Sequence, residues 1–412
     1  MSEILNTRIF FLILIFSLLT SGCKSQGDPV PSVESIDIPK GKVQVAAYYF
    51  PNWGAVYESE WSILKAAKSQ FKGHQQPKVP LWGYTDENDP KVMAQKIDAA
   101  ADNGIDAFIF DWYYYDDGSG LLADPNPSHW DGRKYLYKAL ETGFFNAANN
   151  SKLKFALMWC NHNLGVWVKG AVKPQTFEGL MDYVIEKYFK HPSYWKINGC
   201  PYFSIYQINT FLETYGNDYV KAADALDLFR AKVKAAGFPD LHLNGVLYGL
   251  GGGILNNAIE KLKINSTTSY VWVHHNVLPD FPSTEYTRAA DTYFKSLEYG
   301  GASNGLETPA KLIPVPYHIN VSMGWDSSPR CGNAADWMTR RDYPFGPVIV
   351  NNTPYLFKKY LAKAKALTMS KPENERIITI NSWNEWGEGS YLEPDMINGM
   401  KYLESVKEVM SK

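Results

Sequence analysis

The feature that most constrains the fold is a regular alternation of short apolar runs with longer helical patterns. The runs are rich in β-branched and aromatic residues, and the stretches between them repeat apolar residues at helical spacing. The eight strand candidates are residues 43–50, 107–112, 154–160, 202–206, 242–247, 269–274, 312–318 and 377–382. Chains that alternate in this way build a parallel sheet through right-handed crossovers. The sequence therefore predicts an α/β fold consisting of a single (β/α)8 TIM barrel.

An open, doubly wound sheet is the competing fold for the same alternation. That fold often carries a glycine-rich phosphate turn after its first strand, and none follows residues 43–50. The glycines at 251–253 follow the fifth strand candidate and lack the spacing of a nucleotide-binding fingerprint. After the N-terminal segment, neither a shift in composition nor an internal repeat divides the chain. We therefore expect one barrel domain over residues 41–412.

The N-terminal segment reads as a targeting signal. Arg8 precedes an apolar run at 9–19, which is too short for a permanent membrane-spanning helix and suits the core of a signal peptide. The following Leu19-Thr20-Ser21-Gly22-Cys23 resembles a bacterial lipobox, so residues 1–23 are predicted to be a lipoprotein signal peptide with lipidation at Cys23. A plain cleaved signal peptide is the alternative. Residues 24–40 form a polar, flexible tether, and we expect a protein of the bacterial cell envelope that contacts the outer membrane through its lipid anchor, on the periplasmic or the surface face.

Composition narrows the classes of ligand. A net charge of -2 provides no basic field for nucleic acid and no polybasic patch for lipid head groups. Aromatic residues make up 15% of the chain, and many stand beside carboxylates, as in the stretch 111–116 (DWYYYD). Rings next to polar groups suit sugars, since the C–H face of a sugar stacks on a ring while its hydroxyls bond the polar neighbours. We expect a carbohydrate substrate, no nucleic-acid partner and a monomeric protein.

A barrel of this kind carries its functional residues where its strands end. Those positions, read from the strand candidates, hold aromatic and polar residues that we predict to contact the substrate. The predicted substrate-binding residues are Tyr48, Trp53, Asp111, Trp112, Trp159, His162, Tyr206, Trp272, His275, His318, Trp383 and Asn384. The histidines lack the spacing of a metal-binding motif, so the sequence predicts no metal and no cofactor.

Two acidic residues, Glu385 and Glu388, follow the last strand candidate within the stretch 380–389 (INSWNEWGEG). Glycoside cleavage needs two carboxyl groups in a ring-lined cleft, because one protonates the departing oxygen while the other acts on the opposite side of the sugar. Two acids close together also keep one of them protonated at neutral pH, since like charges repel. Alternatively, the two residues form a solvated pair on a helical turn. Their position at a strand end, between tryptophans and glycines, favours the catalytic interpretation.

The stretch 383–389 (WNEWGEG), followed by 391–395 (YLEPD), resembles the signature of the WbsX-like proteins and of glycoside hydrolase family 99. The stretch 47–51 (AYYFP) and the segment from 104 to 112 also fit. The resemblance implies a (β/α)8 glycoside hydrolase, endo-acting and retaining, that cleaves α-mannosides. It also implies that Glu385 removes the proton of the sugar 2-hydroxyl, so that O2 attacks C1 to give a 1,2-anhydro sugar, while Glu388 protonates the leaving oxygen. Gly387 departs from the pattern, since the mannosidases carry a bulkier residue there, and this departure bears on the sugar specificity more than on the chemistry.

Two other functions remain open at this point. One is a non-catalytic glycan-binding lipoprotein on the same barrel. The other is glycosyl transfer in polysaccharide metabolism, which the WbsX-like name suggests. An exported location disfavours transfer, since nucleotide-sugar donors are cytoplasmic. Substitution of Glu385 or Glu388 by Gln separates catalysis from binding, because only a catalytic residue loses turnover while glycan binding remains.

Overall fold

The computed structural model describes residues 35–54, 58–116, 130–165, 168–250, 252–275, 278–300, 308–332 and 334–412. Its central strands are β1 (Gln44–Tyr49), β2 (Ala107–Tyr114), β3 (Lys154–Trp159), β4 (Cys200–Ile205), β5 (His242–Val246), β6 (Ser266–Thr268), β7 (Tyr317–Ser322) and β8 (Ile377–Asn381). Strands that follow one another in sequence pair in parallel. β1 also pairs in parallel with β8, with Ala47 opposite Ile380. The sheet is therefore closed, and the predicted (β/α)8 TIM barrel is confirmed over a unit of residues 37–412.

Helices connect the strands. In the described ranges the α-helices are α1 (Glu58–Ala66), α2 (Pro90–Ala101), α3 (Pro174–Val184), α4 (Ile208–Glu213), α5 (Tyr219–Ala235), α6 (Gly252–Lys261), α7 (Tyr286–Tyr299), α8 (Ala334–Thr339), α9 (Pro354–Met369) and α10 (Lys401–Met410). Two π-helical segments span Ala139–Phe144 and Ile185–Phe189. The start of α2 follows from its sequence. Pro90 has no backbone N–H, which suits the first turn because the N–H groups there have no partner within the helix. The Asp89 carboxylate accepts a hydrogen bond from the backbone N–H of Lys91.

Two of the strand predictions are wrong in position. The barrel strand β6 is Ser266–Thr268, whereas the predicted sixth strand at 269–274 lies beyond it and ends in a 3₁₀ turn over Trp272–His274. The seventh strand, predicted at 312–318, is Tyr317–Ser322. An apolar pattern does not identify these strands because they bury hydroxyl and amide groups inside the barrel. The Thr268 hydroxyl, for example, donates to the main-chain oxygen of His318 and contacts the Thr379 hydroxyl at 3.0 Å.

The N-terminal predictions fall on residues for which the structure gives no description. The predicted signal peptide with Cys23, and the tether as far as residue 34, lie outside the described residues. Within the described residues, no helix combines the length and the apolar character needed to cross a membrane. The cysteines of the barrel unit, Cys160, Cys200 and Cys331, are free thiols.

Candidate active site

A cavity of about 850 Å³ lies at the carboxyl ends of the barrel strands. Its size is toward the upper end of the ~300–1,000 Å³ usual for small-molecule sites. The charged or aromatic residues that line it are Phe50, Asp111, Tyr113, His162, Tyr206, Tyr248, Tyr270, His274, Phe281, Trp325, Arg330, Arg341, Tyr343, Glu385 and Glu388. Charged groups gather beyond β7 and β8, while tyrosine and histidine rings gather at the ends of β2 to β6. The cavity therefore has an ionic wall and an aromatic wall.

One guanidinium group joins the two predicted catalytic residues. Arg330 Nη2 lies 3.0 Å from Glu385 Oε1, and Arg330 Nη1 lies 3.1 Å from Glu388 Oε1. Nη2 also lies 3.3 Å from a third carboxylate oxygen, Glu60 Oε2. The Tyr343 hydroxyl donates a hydrogen bond of 2.8 Å to the same Glu388 oxygen. Glu385 and Glu388 are thus held side by side on the ionic wall by residues distant from them in sequence.

The main chain after β8 folds back on itself and carries both carboxylates to the cavity. Asn384 pairs with Tyr391 in a short antiparallel ladder that closes this turn. Gly389 ends the turn with a φ of 61°, a left-handed conformation that glycine adopts without strain. A Cβ at this position would lie 2.6 Å from the Cβ of Asp326, so the packing also requires glycine. The glycines of the motif therefore serve the geometry of the turn.

Gly387 provides the space that Arg330 occupies. A Cβ built on Gly387 would lie 2.9 Å from both Nε and Nη2 of Arg330, closer than Cβ atoms come to such neighbours in proteins. The departure from the mannosidase pattern at Gly387 therefore coincides with the Arg330 guanidinium packing against this glycine. A bulkier residue at this position and the observed placement of the guanidinium exclude each other.

The charges around the pair affect its protonation. Burial raises the pKa of Glu385 well above its ordinary value, against the opposing charge of Arg330, and the neighbouring Glu388 adds to the rise. Burial also raises the pKa of Glu388, while Arg330 and the hydrogen bond from Tyr343 oppose the rise. One guanidinium cannot neutralise the three carboxylates that contact it. The cluster therefore favours retention of a proton on the pair to higher pH than on an isolated glutamate.

The aromatic wall contains a further acid, Asp111. Its Oδ2 accepts a 2.8 Å hydrogen bond from the Tyr270 hydroxyl, and its Oδ1 is buried without a hydrogen-bond partner in the described part of the chain. Burial raises the pKa of Asp111 well above its ordinary value. Burial also lowers the pKa of His162 to about 4 and that of His274 to about 3, so both imidazoles are neutral at physiological pH. This wall offers neutral hydrogen-bonding groups beside rings, which suits sugar hydroxyls.

Some of the predicted site residues come together at the cavity and others do not. Those that line it are Asp111, His162, Tyr206, Glu385 and Glu388. The division follows from strand geometry, since successive side chains of a strand point to opposite faces and only one of two neighbours enters the barrel. On β2, Asp111 and Tyr113 line the cavity, whereas the Trp112 indole points outward and donates a 3.0 Å hydrogen bond to the Tyr188 hydroxyl.

Trp159, on β3, and Trp272, in the 3₁₀ turn after β6, also lie outside the cavity lining. Both side chains are fully buried. The Trp159 ring stacks on Phe177 of α3 with centroids 5.5 Å apart, and the Trp272 ring stacks on Tyr293 of α7 with centroids 5.5 Å apart. These two tryptophans join the barrel to its helices, and neither is among the residues that line the cavity.

The remaining predicted residues, which lie on β1 or just after β1 and β8, are buried and do not line the cavity. Tyr48, Trp53, Trp383 and Asn384 have almost no exposed surface and are not part of the lining. Asn384 accepts a 2.8 Å hydrogen bond from the Phe50 N–H and donates one of 2.9 Å to the Phe50 carbonyl. These two hydrogen bonds join the segment that carries the two glutamates to the chain after β1.

His275 and His318 are buried away from the cavity. His318 is the second residue of β7 and lies at the amino end of that strand, where its ring stacks near Tyr202 and His242. The interpretation of His318 as a strand-end residue is therefore wrong, because it depended on the misplaced seventh strand. Among the residues that the structure describes, no group of three or more His, Cys, Asp or Glu side chains is arranged to hold a metal ion.

Sequence reasoning missed three residues of the ionic wall, Arg330, Arg341 and Tyr343, and also Glu60, which contacts Arg330 but does not line the cavity. Arg330 lies in a 3₁₀ turn at Ser328–Cys331, within the long segment between β7 and β8, and no spacing relates it to the glutamates. Tyr270 was also missed, but it lies two residues beyond β6, so a correct strand boundary identifies it.

The structural position of Trp159 leads to a testable prediction. Trp159→Ala removes a fully buried indole from the contact between β3 and α3, so we expect it to lower the free energy of unfolding by about 3–5 kcal/mol. We expect the folded fraction to bind glycans as the wild type does. Urea denaturation together with glycan-binding titration below the unfolding transition measures both effects. A loss of glycan affinity without a loss of stability would contradict this structural role and support Trp159 as a substrate-binding residue.

The sequence also matches a known family. Residues 51–406 match the family model described as Glycosyltransferase WbsX. The chain belongs to this WbsX family. Two curated relatives, each described as uncharacterized protein WxcX, come from Xanthomonas campestris pv. campestris strains ATCC 33913 and B100, and each is 22% identical over 396 residues, covering 89% of this chain and 50% of the relative. The WbsX-family chain thus spans about half the length of the curated relatives it matches. The resemblance to the WbsX-like proteins that its sequence motifs indicate is confirmed.

Solved structures share the fold of this WbsX-family protein. The family 99 endo-alpha-mannosidase from Bacteroides thetaiotaomicron aligns with a TM-score of 0.55 at 17% identity, covering 89% of this chain and 96% of that chain. The same kind of enzyme in complex with bis-tris-propane gives a TM-score of 0.54 at 16% identity, with the same coverage. A glycoside hydrolase-like protein aligns with a TM-score of 0.55 at 14% identity, covering 93% and 97% of the two chains. At these identities the likeness shows the barrel fold.

Proposed function

We propose that this WbsX-family protein is a glycoside hydrolase in which Glu385 and Glu388 are the catalytic pair. The observation that carries the proposal is the joining of two carboxyl groups, a buried one on Glu385 and a partly exposed one on Glu388, by Arg330 on the wall of a cavity of about 850 Å³ at the strand ends. A pair of carboxyl groups is what glycoside cleavage requires. The size of the cavity supports binding of several sugar units and hence endo action, and the fold shared with an endo-alpha-mannosidase supports α-mannosides as the substrate class.

The proposed reaction proceeds in two balanced steps. In the first step, the Glu385 carboxylate takes the proton of the 2-hydroxyl, O2 forms a bond to C1, the bond from C1 to the leaving oxygen breaks, and that oxygen takes the proton of Glu388. In the second step, the Glu388 carboxylate takes a proton from water, the water oxygen bonds to C1, the C1–O2 bond breaks, and O2 recovers the proton from Glu385. Two inversions at C1 give net retention.

Arg330 suits this exchange because it contacts both partners. In the first step Glu385 gains a proton and Glu388 loses one. The total charge of the pair is therefore unchanged, but the negative charge moves from Glu385 to Glu388. The guanidinium lies 3.0 Å from an oxygen of Glu385 and 3.1 Å from an oxygen of Glu388. It therefore stabilises the ionised member of the pair on either side of the step without moving, which is the kind of preorganised charge that favours a transition state.

Glycosyl transfer is a second candidate, because the family model carries a transferase description. The same pair can pass the anhydro sugar to an acceptor hydroxyl in place of water, without a change in the residues that act. The two reactions differ in their products: hydrolysis adds one water per bond cleaved, whereas transfer gives elongated chains.

The proposal is tested by a product screen of the purified protein against α-mannans and other bacterial, fungal and plant glycans, read by mass spectrometry. We expect shortened products that have gained water, and we expect both Glu385→Gln and Glu388→Gln to abolish them while glycan binding persists. Elongated products would favour transfer. Glycan binding without any product would favour a non-catalytic binding protein and overturn the proposal.

We also propose that the protein works at the bacterial cell envelope, anchored by lipid at Cys23. The support is the lipobox-like stretch 19–23 after an apolar run. Cys23→Ala is expected to shift the protein from the membrane fraction to the soluble fraction and to abolish labelling by an alkyne-bearing fatty acid. Unchanged fractionation and labelling would contradict lipidation at this residue.

A further inference from the structure

A buried ion network lies directly behind the segment that carries the two glutamates. Its centre is Lys96 of α2, whose side chain has no exposed surface. Lys96 Nζ lies 2.9 Å from Glu393 Oε1 and 3.5 Å from Glu87 Oε2, and both carboxylates are almost completely buried. Burying an ammonium and two carboxylates is costly unless they are paired and hydrogen-bonded. The network therefore calls for an explanation beyond stability, because apolar residues could fill the same space.

Both carboxylates of the network bind the catalytic segment. Glu393 Oε2 accepts a 2.8 Å hydrogen bond from the indole N–H of Trp386, which directly follows Glu385. Glu87 Oε2 accepts a 3.2 Å hydrogen bond from the Asn384 side chain, immediately before Glu385. The network thus contacts residues on both sides of Glu385, and Trp386 also precedes Glu388 by only two residues.

The remaining contacts tie the network to β1. Glu87 Oε2 accepts a 2.8 Å hydrogen bond from the Tyr49 hydroxyl, and Glu87 Oε1 accepts one of 2.8 Å from the Trp53 N–H. The indole of Trp386 is further fixed by stacking on Tyr391, with ring centroids 3.7 Å apart. β1, α2 and the turn after β8 are therefore connected through one set of buried charges.

We propose that Lys96, Glu87 and Glu393 are positioning residues of the active site, whose ion network holds residues 384–388 so that both glutamates face the cavity. This inference rests on the proposed glycoside hydrolase function. None of the three is among the residues that line the cavity, so they act through Asn384 and Trp386. A displacement of about 1 Å in a catalytic group costs as much as ~100-fold in rate, which sets the size of the effect expected from loosening this support.

The protonation of the network agrees with this role. The two carboxylates raise the pKa of Lys96 against the lowering effect of its burial, so the ammonium stays charged. Burial raises the pKa of Glu87 to about 7, against the opposing charge of Lys96. The groups that face Glu87 are the Lys96 ammonium, the Glu393 carboxylate, the Tyr49 hydroxyl, the Asn384 amide and the Trp53 N–H, and the four that donate to Glu87 favour its ionised form.

The chain offers a matched control for the central lysine. Lys365 of α9 is also a helical lysine without exposed surface, and its Nζ donates a 2.9 Å hydrogen bond to the carbonyl of Val409 on α10. It contacts no residue of the catalytic segment in the hydrogen bonds and ion pairs of the described residues. Lys365→Met therefore reproduces the loss of a buried lysine without loosening residues 384–388.

The experiment compares Lys96→Met, Glu393→Gln and Lys365→Met in steady-state kinetics, at a temperature where all three are folded. We expect kcat to fall about 100-fold in the two network variants with KM little changed, because positioning and not binding is lost. We expect Lys365→Met to keep the wild-type kcat even where its melting temperature falls. Equal loss in all three variants, or wild-type kcat in the network variants, would overturn the proposal.

A second measurement does not depend on activity. The Trp386 indole ¹H–¹⁵N resonance, assigned by its absence in Trp386→Phe, reports the hydrogen bond to Glu393 directly. We expect it to shift in Glu393→Gln and in Lys96→Met and to stay in place in Lys365→Met. An unmoved resonance in both network variants refutes the positioning role, whether or not a substrate is found. A wild-type protein that cleaves no glycan refutes the proposed function alone. If Lys96→Met does not fold, Glu393→Gln, which keeps the size of the side chain, still decides the matter.

Discussion

Glu388→Gln is expected to lose about 10²–10⁴-fold in turnover on natural glycans but to keep much more of its activity on an activated aryl glycoside of the same glycan. The reason is that a sugar alkoxide departs only when an acid protonates it, whereas a nitrophenolate departs unaided. Gln fills the space of Glu388 and can still contact Arg330 and Tyr343, so the fold of the site is preserved. Steady-state rates on the two substrates measure the difference.

Glu385→Gln provides the contrast, because the 2-hydroxyl must lose its proton whatever the leaving group. We expect it to lose turnover on both substrates by a similar factor. Glu60→Gln is the matched control, since Glu60 also contacts Arg330 but is not assigned a chemical step. It should keep most of its turnover at its own pH optimum. If Glu388→Gln loses as much activity on the aryl glycoside as on the natural glycan, Glu388 is not the acid.

Arg330→Gln is expected to move the pH profile of kcat/KM upward by about 1–3 units. The positive charge of Arg330 favours the ionised forms of Glu385 and Glu388 and so opposes the rise that burial causes in both pKa values. Its removal raises both values further. Activity at low pH then falls, because the base stays protonated to higher pH, and activity at high pH persists, because the acid also keeps its proton.

Gly387→Ala tests the same role of Arg330 by displacing its guanidinium instead of removing it. Its Cβ would lie 2.9 Å from two nitrogens of Arg330, so the guanidinium must move away from the pair. We expect a shift of the pH profile in the same direction as in Arg330→Gln. Unchanged profiles in both variants would show that Arg330 does not set the protonation of the pair.

The barrel was predictable because the spacing of apolar residues distinguishes strands from helices, and this spacing is a local property of the sequence. Strands β6 and β7 were placed wrongly because their buried faces carry Ser, Thr, His and Asn, whose hydrogen bonds appear only once the barrel closes. The glutamate motif was predictable because it is contiguous and ends a strand. Arg330 was not, since its contact with Glu385 spans 55 residues and depends on how the segment after β7 folds over the cavity.

The list of predicted substrate contacts shows a second limit. Neighbouring residues at a strand end look equivalent in sequence, yet the pleat sends them to opposite faces. Asp111 therefore reaches the cavity while Trp112 packs against helices, and a count from the true end of each strand is needed to tell them apart.

The measurement that tests the central claim most directly is the anomeric configuration of the first product, followed by ¹H NMR during cleavage of a susceptible glycan and of its analogue methylated at O2 of the sugar at the cleavage site. We predict retention of configuration on the first substrate and no cleavage of the second, because O2 itself must attack C1. Inversion, or cleavage of the methylated analogue at a comparable rate, would contradict the roles assigned to Glu385 and Glu388.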